Sequence, residues 1–140
     1  MRILALYRLV ALTLLRIVPA LLMMQHGAQK LFGVLGGVDG AGGTVPLGSL
    51  FGLGGVLEFF VAALVVIGLF TRPAAFLLSG EMAVAYFMGH APKGFWPVLN
   101  GGEPAILNSF IFFYLAAAGA GPLSVDALLS RSRTPLVQEP

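Results

Sequence analysis

Cysteine is absent from the chain. Dithiol exchange, thiolate catalysis, iron–sulfur ligation and Cys-based zinc sites are therefore excluded within it. Any redox role must run on a bound cofactor or through a partner. Charge is nearly as scarce: Asp, Glu, Lys and Arg make up 10% of the residues, against about 25% in soluble domains. The basic residues are scattered rather than clustered, so no face is offered to nucleic acid. The two histidines, His26 and His90, and the glutamates show no Glu-x-x-His or similar ligand spacing, and no metal is expected. A bis-His haem is not expected either, because no haem motif surrounds His26 or His90. The first apolar run lacks an A-x-A-type cleavage site and is interrupted by Arg8 and Arg16. It reads as a retained span rather than a leader.

What is present is apolar. Hydrophobic residues make up 58% of the 140, mean hydropathy is +0.93, and the length suits one domain. Four stretches, roughly 9–32, 50–70, 73–89 and 104–121, approach the ~20 residues that a membrane helix needs. The expected fold is all-α: a single-domain, integral membrane four-helix bundle with a tail at 123–140. A Gly-rich loop, "GGVDGAGGTVPLG" at 36–48, follows the first span, and "TRP" at 71–73 makes a tight turn. The long connection "HAPKGFWPVLNGGEP" at 90–104 carries Trp96 where an interfacial aromatic belongs. With both ends cytoplasmic, Arg2, Arg8, Arg72, Arg131 and Arg133 lie inside and only Lys30 and Lys93 outside. That is the arrangement the positive-inside rule favours, and it sends both long loops outward. Small-xxx-small spacings (Gly48 and Gly52, Ser79 and Ala83, Ala85 and Gly89, Ala117 and Gly121) suit close helix contact.

The polar residues of the first span are ordered. Arg8, Arg16, Pro19, Met23, His26 and Lys30 fall within an arc of about 80° at 100° per residue. A lipid-facing Arg costs about 2.5–3.5 kcal/mol at the bilayer centre, so the stripe must face the bundle. Glu81 and Glu58 each lie ~12 Å from a helix end at 1.5 Å per residue. The depths suggest Arg16 with Glu81, and Glu58 with His26 or Lys30; each charge is tolerable only when paired. Such pairs either lock the bundle or mark a site, since intramembrane ionisable residues point to function by default. Gly27, beside the arc, is expected to leave room for a ligand ring against the backbone. Gln29 lies about 60° from His26 and should face the loop. Asn100 and Glu103 suit the N-terminus of the last span as a cap or a favourable charge.

These residues resemble the DoxX family of small four-helix membrane proteins across nearly the whole chain. The resemblance rests on Arg16, "HGAQKLFG" at 26–33, Glu58, "GLFTR" at 68–72, Ala85 to His90, "NGGE" at 100–103 and "GPLSVD" at 121–126. Pro122 departs from the family's usual "GxGxxSxD" ending. The resemblance implies a bacterial or archaeal plasma membrane protein. Some members look like subunits of quinone-linked sulfur oxidoreductases, and others are associated with oxidative-stress defence.

Two readings follow. In the first, the protein is a redox-associated subunit that binds a quinone or quinol headgroup near the outer face. Arg16, His26, Lys30, Glu58, Glu81 and Glu103 are then the candidate cofactor-binding residues, with Phe32, Phe51, Phe59 and Phe110 as walls. A protein partner would carry the electrons, and a second copy of the chain is a further partner to consider. In the second, the protein is a non-enzymatic scaffold whose buried ion pairs are structural. A proton-coupled carrier has the carboxylates but lacks the length and repeats of known transporters.

The topology is directly testable, because the chain offers no background thiol. Gly40→Cys and Phe95→Cys should react with an impermeant thiol reagent added outside intact cells, and Ser132→Cys should not. The reverse pattern would overturn the orientation.

Overall fold

The computed structural model describes residues 2–131, which are helical and contain no strand; Gly37 and Gly43 form an isolated bridge. Ser132, Arg133 and the rest of the tail lie outside the described residues. Helix α1 spans Arg2–Phe32. Helix α2 spans Leu50–Ile67, with a π-helical stretch at Leu57–Val61. Helix α3 spans Thr71–Ala85 and runs on through a π-helical stretch at Tyr86–His90. Helix α4 spans Glu103–Ala118, and the short α5 spans Val125–Arg131.

Two helices are long and apolar enough to cross a membrane, Ile3–Phe32 and Leu50–Ile67; Glu103–Ala118 is a shorter apolar helix. The ends differ from the expected spans for local reasons. Helix α1 begins well before residue 9 because nothing in its first turns breaks it. It stops at Phe32, where Gly33 takes a left-handed φ of 67°. Helix α2 stops at Ile67 rather than 70, because Gly68 (φ 71°) and Phe70 (φ 48°) both turn left-handed. Helix α4 ends at Ala118, three residues early, where Gly119 has φ 83°. Its last carbonyls are covered by Arg72, whose guanidinium donates to Ala116, Ala117 and Ala118, as a cation at a helix C-terminus should.

Helix α1 packs on α2, α2 on α3, and α3 most extensively on α4. The shared core is built from Ala20, Met23, Ala62, Val65, Ala74, Ala75, Leu78, Met82, Phe112 and Leu115. Many of these are small, and the bulky apolar residues point outward: Leu14, Leu21, Phe60, Phe76, Phe87 and Phe113 are all exposed. Such surfaces are suited to lipid rather than water. Ser79 and Ser109 each donate a hydroxyl hydrogen bond to the other's carbonyl, at 2.9 and 3.0 Å, which joins α3 to α4. Of the small residues singled out, Ser79 therefore lies on a real helix contact. Gly48 and Gly89 instead face open space.

The α2–α3 turn is locked by the far end of the chain. Arg16, 2% exposed, donates to the carbonyls of Leu123 (2.7 Å) and Val65 (3.4 Å). The expected pair with Glu81 is not formed. The guanidinium occupies the space that a Cβ on Gly68 would need, so it reaches the turn rather than α3. Asp126 closes the latch. Its carboxylate accepts from the N–H groups of Phe70 (2.8 Å) and Thr71 (3.0 Å), capping α3. Its own N–H bonds the Gly68 carbonyl. Ser124 caps α5 by accepting from Ala127 N–H.

Burial alone would raise the Asp126 carboxyl. The N–H groups of Thr71 and Phe70, then the Thr71 hydroxyl and the Arg16 guanidinium, outweigh it and hold the group below the usual carboxylate range. A depressed folded pKa means that the ionised form stabilises the fold. That stability is present above about pH 4, the unfolded value, and is lost as pH falls through the folded value. Asp126→Asn should cost about 1–2 kcal/mol, as for the loss of a helix cap, and should flatten the acid limb of a thermal-stability profile in detergent.

Candidate functional site

At the end of the molecule that carries both long loops, α1 and α2 are in backbone contact. A Cβ on Gly27 would lie 2.6 Å from Phe59 N, 2.8 Å from Gly55 O and 2.9 Å from the Glu58 carbonyl carbon. The space expected to admit a ligand ring at Gly27 is filled by α2 itself. Gly55 repeats the device from the other side, where a Cβ would touch Lys30 Cβ at 3.0 Å. This crossing brings the last turn of α1 against the π-helical stretch of α2. Extra residues in an α-helix of this kind often mark functional positions, and Glu58 stands in it.

The product of the crossing is an ion pair. Lys30 Nζ donates to Glu58 Oε1 at 2.6 Å, with side chains 23% and 3% exposed. Glu81 arrives from α3. Beside Gly54, a methyl-sized group would sit 3.5 Å from Glu81 Oε1 and 3.8 Å from Lys30 Nζ, with nothing nearer. Three helices thus supply two carboxyls and one ammonium to one buried place. Glu58 Oε2 and Glu81 Oε2 are buried and have no hydrogen-bond partner among the described residues.

Lys30 connects this cluster to the surface. With His26, Gln29, Gly37, Val38, Val45 and Phe51 it lines an open depression of ≈ 570 Å³. His26 is exposed at the rim. Gln29 donates to the Leu35 carbonyl at 3.2 Å, so it is held by the loop. That loop is folded back over the helix end by the Val45 N–H to Lys30 carbonyl bond. It is braced by Asp39, whose carboxylate accepts from Ala41 and Gly43 N–H, both at 2.8 Å. Those two bonds hold the Asp39 carboxyl below its ordinary range.

Two candidate residues lie elsewhere. Arg16 is 14 residues from Lys30, or about 21 Å along the helix, and serves the latch. Glu103 is exposed in the first turn of α4 and shares no hydrogen bond or ion pair with the cluster. The neighbouring loop is organised by Asn100, which accepts from Gly102 N–H and donates to the Gly94 carbonyl, both at 2.8 Å. His90 is bonded to the Asn100 carbonyl and stacked on Tyr86. Of the aromatic walls, Phe51 lines the depression, Phe32 and Phe59 pack edge to face at 5.1 Å, and Phe110 is exposed on α4. Val38 and Val45 had no periodicity to reveal them, since the Gly-rich loop obeys none. Among the described residues no group of three or more His, Asp or Glu is placed to hold a metal ion.

A second depression, ≈ 550 Å³, lies at the opposite end beside Thr71, Arg72, Asp126 and Ser130. Its charged groups are already committed: Asp126 to the α3 cap and Arg72 to the α4 carbonyls. The loop-end cluster alone combines an opening with buried, unsatisfied acids.

A family model described as DoxX matches residues 11–91 of the chain. A protein of Haemophilus influenzae, described as an uncharacterized protein, is 44% identical over 123 residues, covering 86% of this chain and 91% of its own length. No solved structure matches.

Proposed function

The chain belongs to the DoxX family, and on that premise we propose that it is a redox-associated subunit of the bacterial plasma membrane that binds a quinone or quinol headgroup. In this reading the four long helices cross the bilayer, both termini are cytoplasmic and the loop end faces outward. The observation that carries the proposal is the line of ionisable groups from the open depression, through His26 and Lys30, to Glu58 and Glu81.

The residues fit such a headgroup. The depression sets Val38, Val45 and Phe51 beside His26, Gln29 and Lys30, the mixture of apolar wall and few polar groups typical of small-molecule sites. A bound quinone would supply two-electron, two-proton chemistry that these side chains lack. Lys30, at the boundary between depression and interior, is positioned to donate a hydrogen bond to a carbonyl oxygen. His26 at the rim is suited to exchange a proton with the outer water. Glu58 holds Lys30 in place and offers the next acceptor inward. Electrons require a protein partner, because the chain has no thiol to hold them.

A non-enzymatic scaffold is the second reading, and the Arg16 latch favours it, since both of its hydrogen bonds go to backbone carbonyls. Even so, that lock is not fully satisfied: Arg16 Nε and Thr71 Oγ1 are buried without a hydrogen-bond partner among the described residues. Two unpartnered acids beside Lys30, which opens onto the depression, favour the first reading.

Ubiquinone or menaquinone analogues should bind the purified protein in lipid nanodiscs. His26→Ala and Lys30→Gln should each weaken that binding about tenfold, a loss of ~1.4 kcal/mol, and Gln29→Ala should weaken it less. Equal binding by all three variants, or co-purification of a stoichiometric protein partner with no quinone, would favour the scaffold.

A further inference from the structure

The loop-end cluster is short of one positive charge. Its charged groups come from three helices: Lys30 and, nearby, His26 from α1; Glu58 from α2; and Glu81 from α3. Among the described residues, Glu103 of α4 is exposed and makes no hydrogen bond or ion pair with either carboxyl. Lys30 balances one carboxylate through Glu58 Oε1. His26 is exposed at the rim and makes no hydrogen bond or ion pair with either carboxyl. Inside the buried place the other carboxylate therefore has no counter-charge, and an uncompensated buried charge is strongly unfavourable.

The geometry narrows what can neutralise it. Glu58 is 2% exposed, and both its Oε2 and that of Glu81 are buried without a partner. A methyl-sized group beside Gly54 would already be in van der Waals contact with Glu81 Oε1 and close to Lys30 Nζ. A metal cation placed there would sit against an ammonium, which repels it. A proton needs no such space and gives an acceptor oxygen a hydrogen to share. Toward the opposite end lie the buried, apolar Ala62, Val65, Leu78 and Met82, which offer no proton acceptor, whereas Lys30 opens onto the depression.

We infer that Lys30, Glu58 and Glu81 form a proton-binding site in which one of the two carboxyls carries a proton and exchanges it through the loop-end depression. The count is closed: one ammonium, one carboxylate and one carboxylic acid sum to zero charge. The proton enters from the depression and leaves by the same opening, with Lys30 remaining the fixed cation. The site stands whether or not a quinone binds, since the balance involves only this chain's residues. Two acids that share one proton titrate as a unit rather than singly.

Infrared difference spectroscopy on the protein in nanodiscs, without added quinone, tests this. The wild type should show a protonated-carboxyl stretch at neutral pH that shifts on exchange into heavy water. Glu81→Gln and Glu58→Gln should each abolish it, because the remaining carboxylate is then balanced by Lys30. Lys30→Met should strengthen it, because the second carboxyl must then take up a proton too. If Glu58→Gln fails to fold, the other two variants carry the same opposed expectations. A wild type with no such band, a band that survives in Glu81→Gln, a band unchanged in Lys30→Met, or a band removed by adding sodium at constant pH would each overturn the proposal.

Discussion

The contact between the Lys30 ammonium and the Glu58 carboxylate, 2.6 Å long with the acid 3% exposed, sets the terms for everything at the loop end. Neither charge is tolerable alone in an apolar bundle, so the pair forces α1 and α2 to meet at a fixed register. That meeting is feasible only because Gly27 and Gly55 have no side chain: a Cβ at Gly27 would lie 2.6 Å from the α2 backbone. The π-helical stretch then turns Glu58 into the interface. Glycine at the crossing, a bulge on one helix and a basic residue in the last turn of the other together produce one buried site.

The basic stripe on α1 consequently has two jobs at two depths. Near the turn end Arg16 binds carbonyls of α2 and of the segment before α5, filling the space left open at Gly68. With Asp126 capping α3, it ties the last helix to the α2–α3 turn. Near the loop end Lys30 joins two carboxyls and faces a depression. The first arrangement spends its hydrogen bonds on backbone atoms and is structural. The latch also leaves Arg16 Nε and Thr71 Oγ1 without a partner; what sets the second apart is that its two unsatisfied acid oxygens lie beside Lys30, which lines an open depression.

Much of this was legible in the sequence, and the failures have definite causes. Hydropathy marked the helices because each is lined with apolar residues. The arc on α1 held for its middle, where Arg16, Pro19 and Met23 are buried, and failed at Arg8 and His26, which are exposed. Depth from the helix ends correctly offered Lys30 to Glu58. The same argument paired Arg16 with Glu81 and was wrong, because depth says nothing about which helix is adjacent at that level. Arg16's true partners depend on Gly68 and on Leu123, 107 positions away in sequence. Gly27 was read as room for a ligand, although a glycine gap serves a neighbouring backbone equally well. The π-helical stretches at Leu57–Val61 and Tyr86–His90 left no pattern, because a one-residue insertion shifts a helical face without changing composition. The roof residues Val38 and Val45 belong to a loop with no period.

The central claim is that Lys30 and Glu58 form one energetic unit that joins α1 to α2, and a double-mutant cycle measures it most directly. Reversible unfolding of wild type, Lys30→Met, Glu58→Gln and the double variant in mixed micelles gives the four stabilities. Lys30→Met should be the costlier single change, because both buried carboxyls then lose their cation and must be protonated, whereas Glu58→Gln leaves the Glu81 carboxyl beside Lys30. The double variant should recover a coupling energy of about 1–3 kcal/mol, within the range for residues in contact. Losses that simply add would show that the two side chains do not meet, and the account of the loop-end site would fall with them.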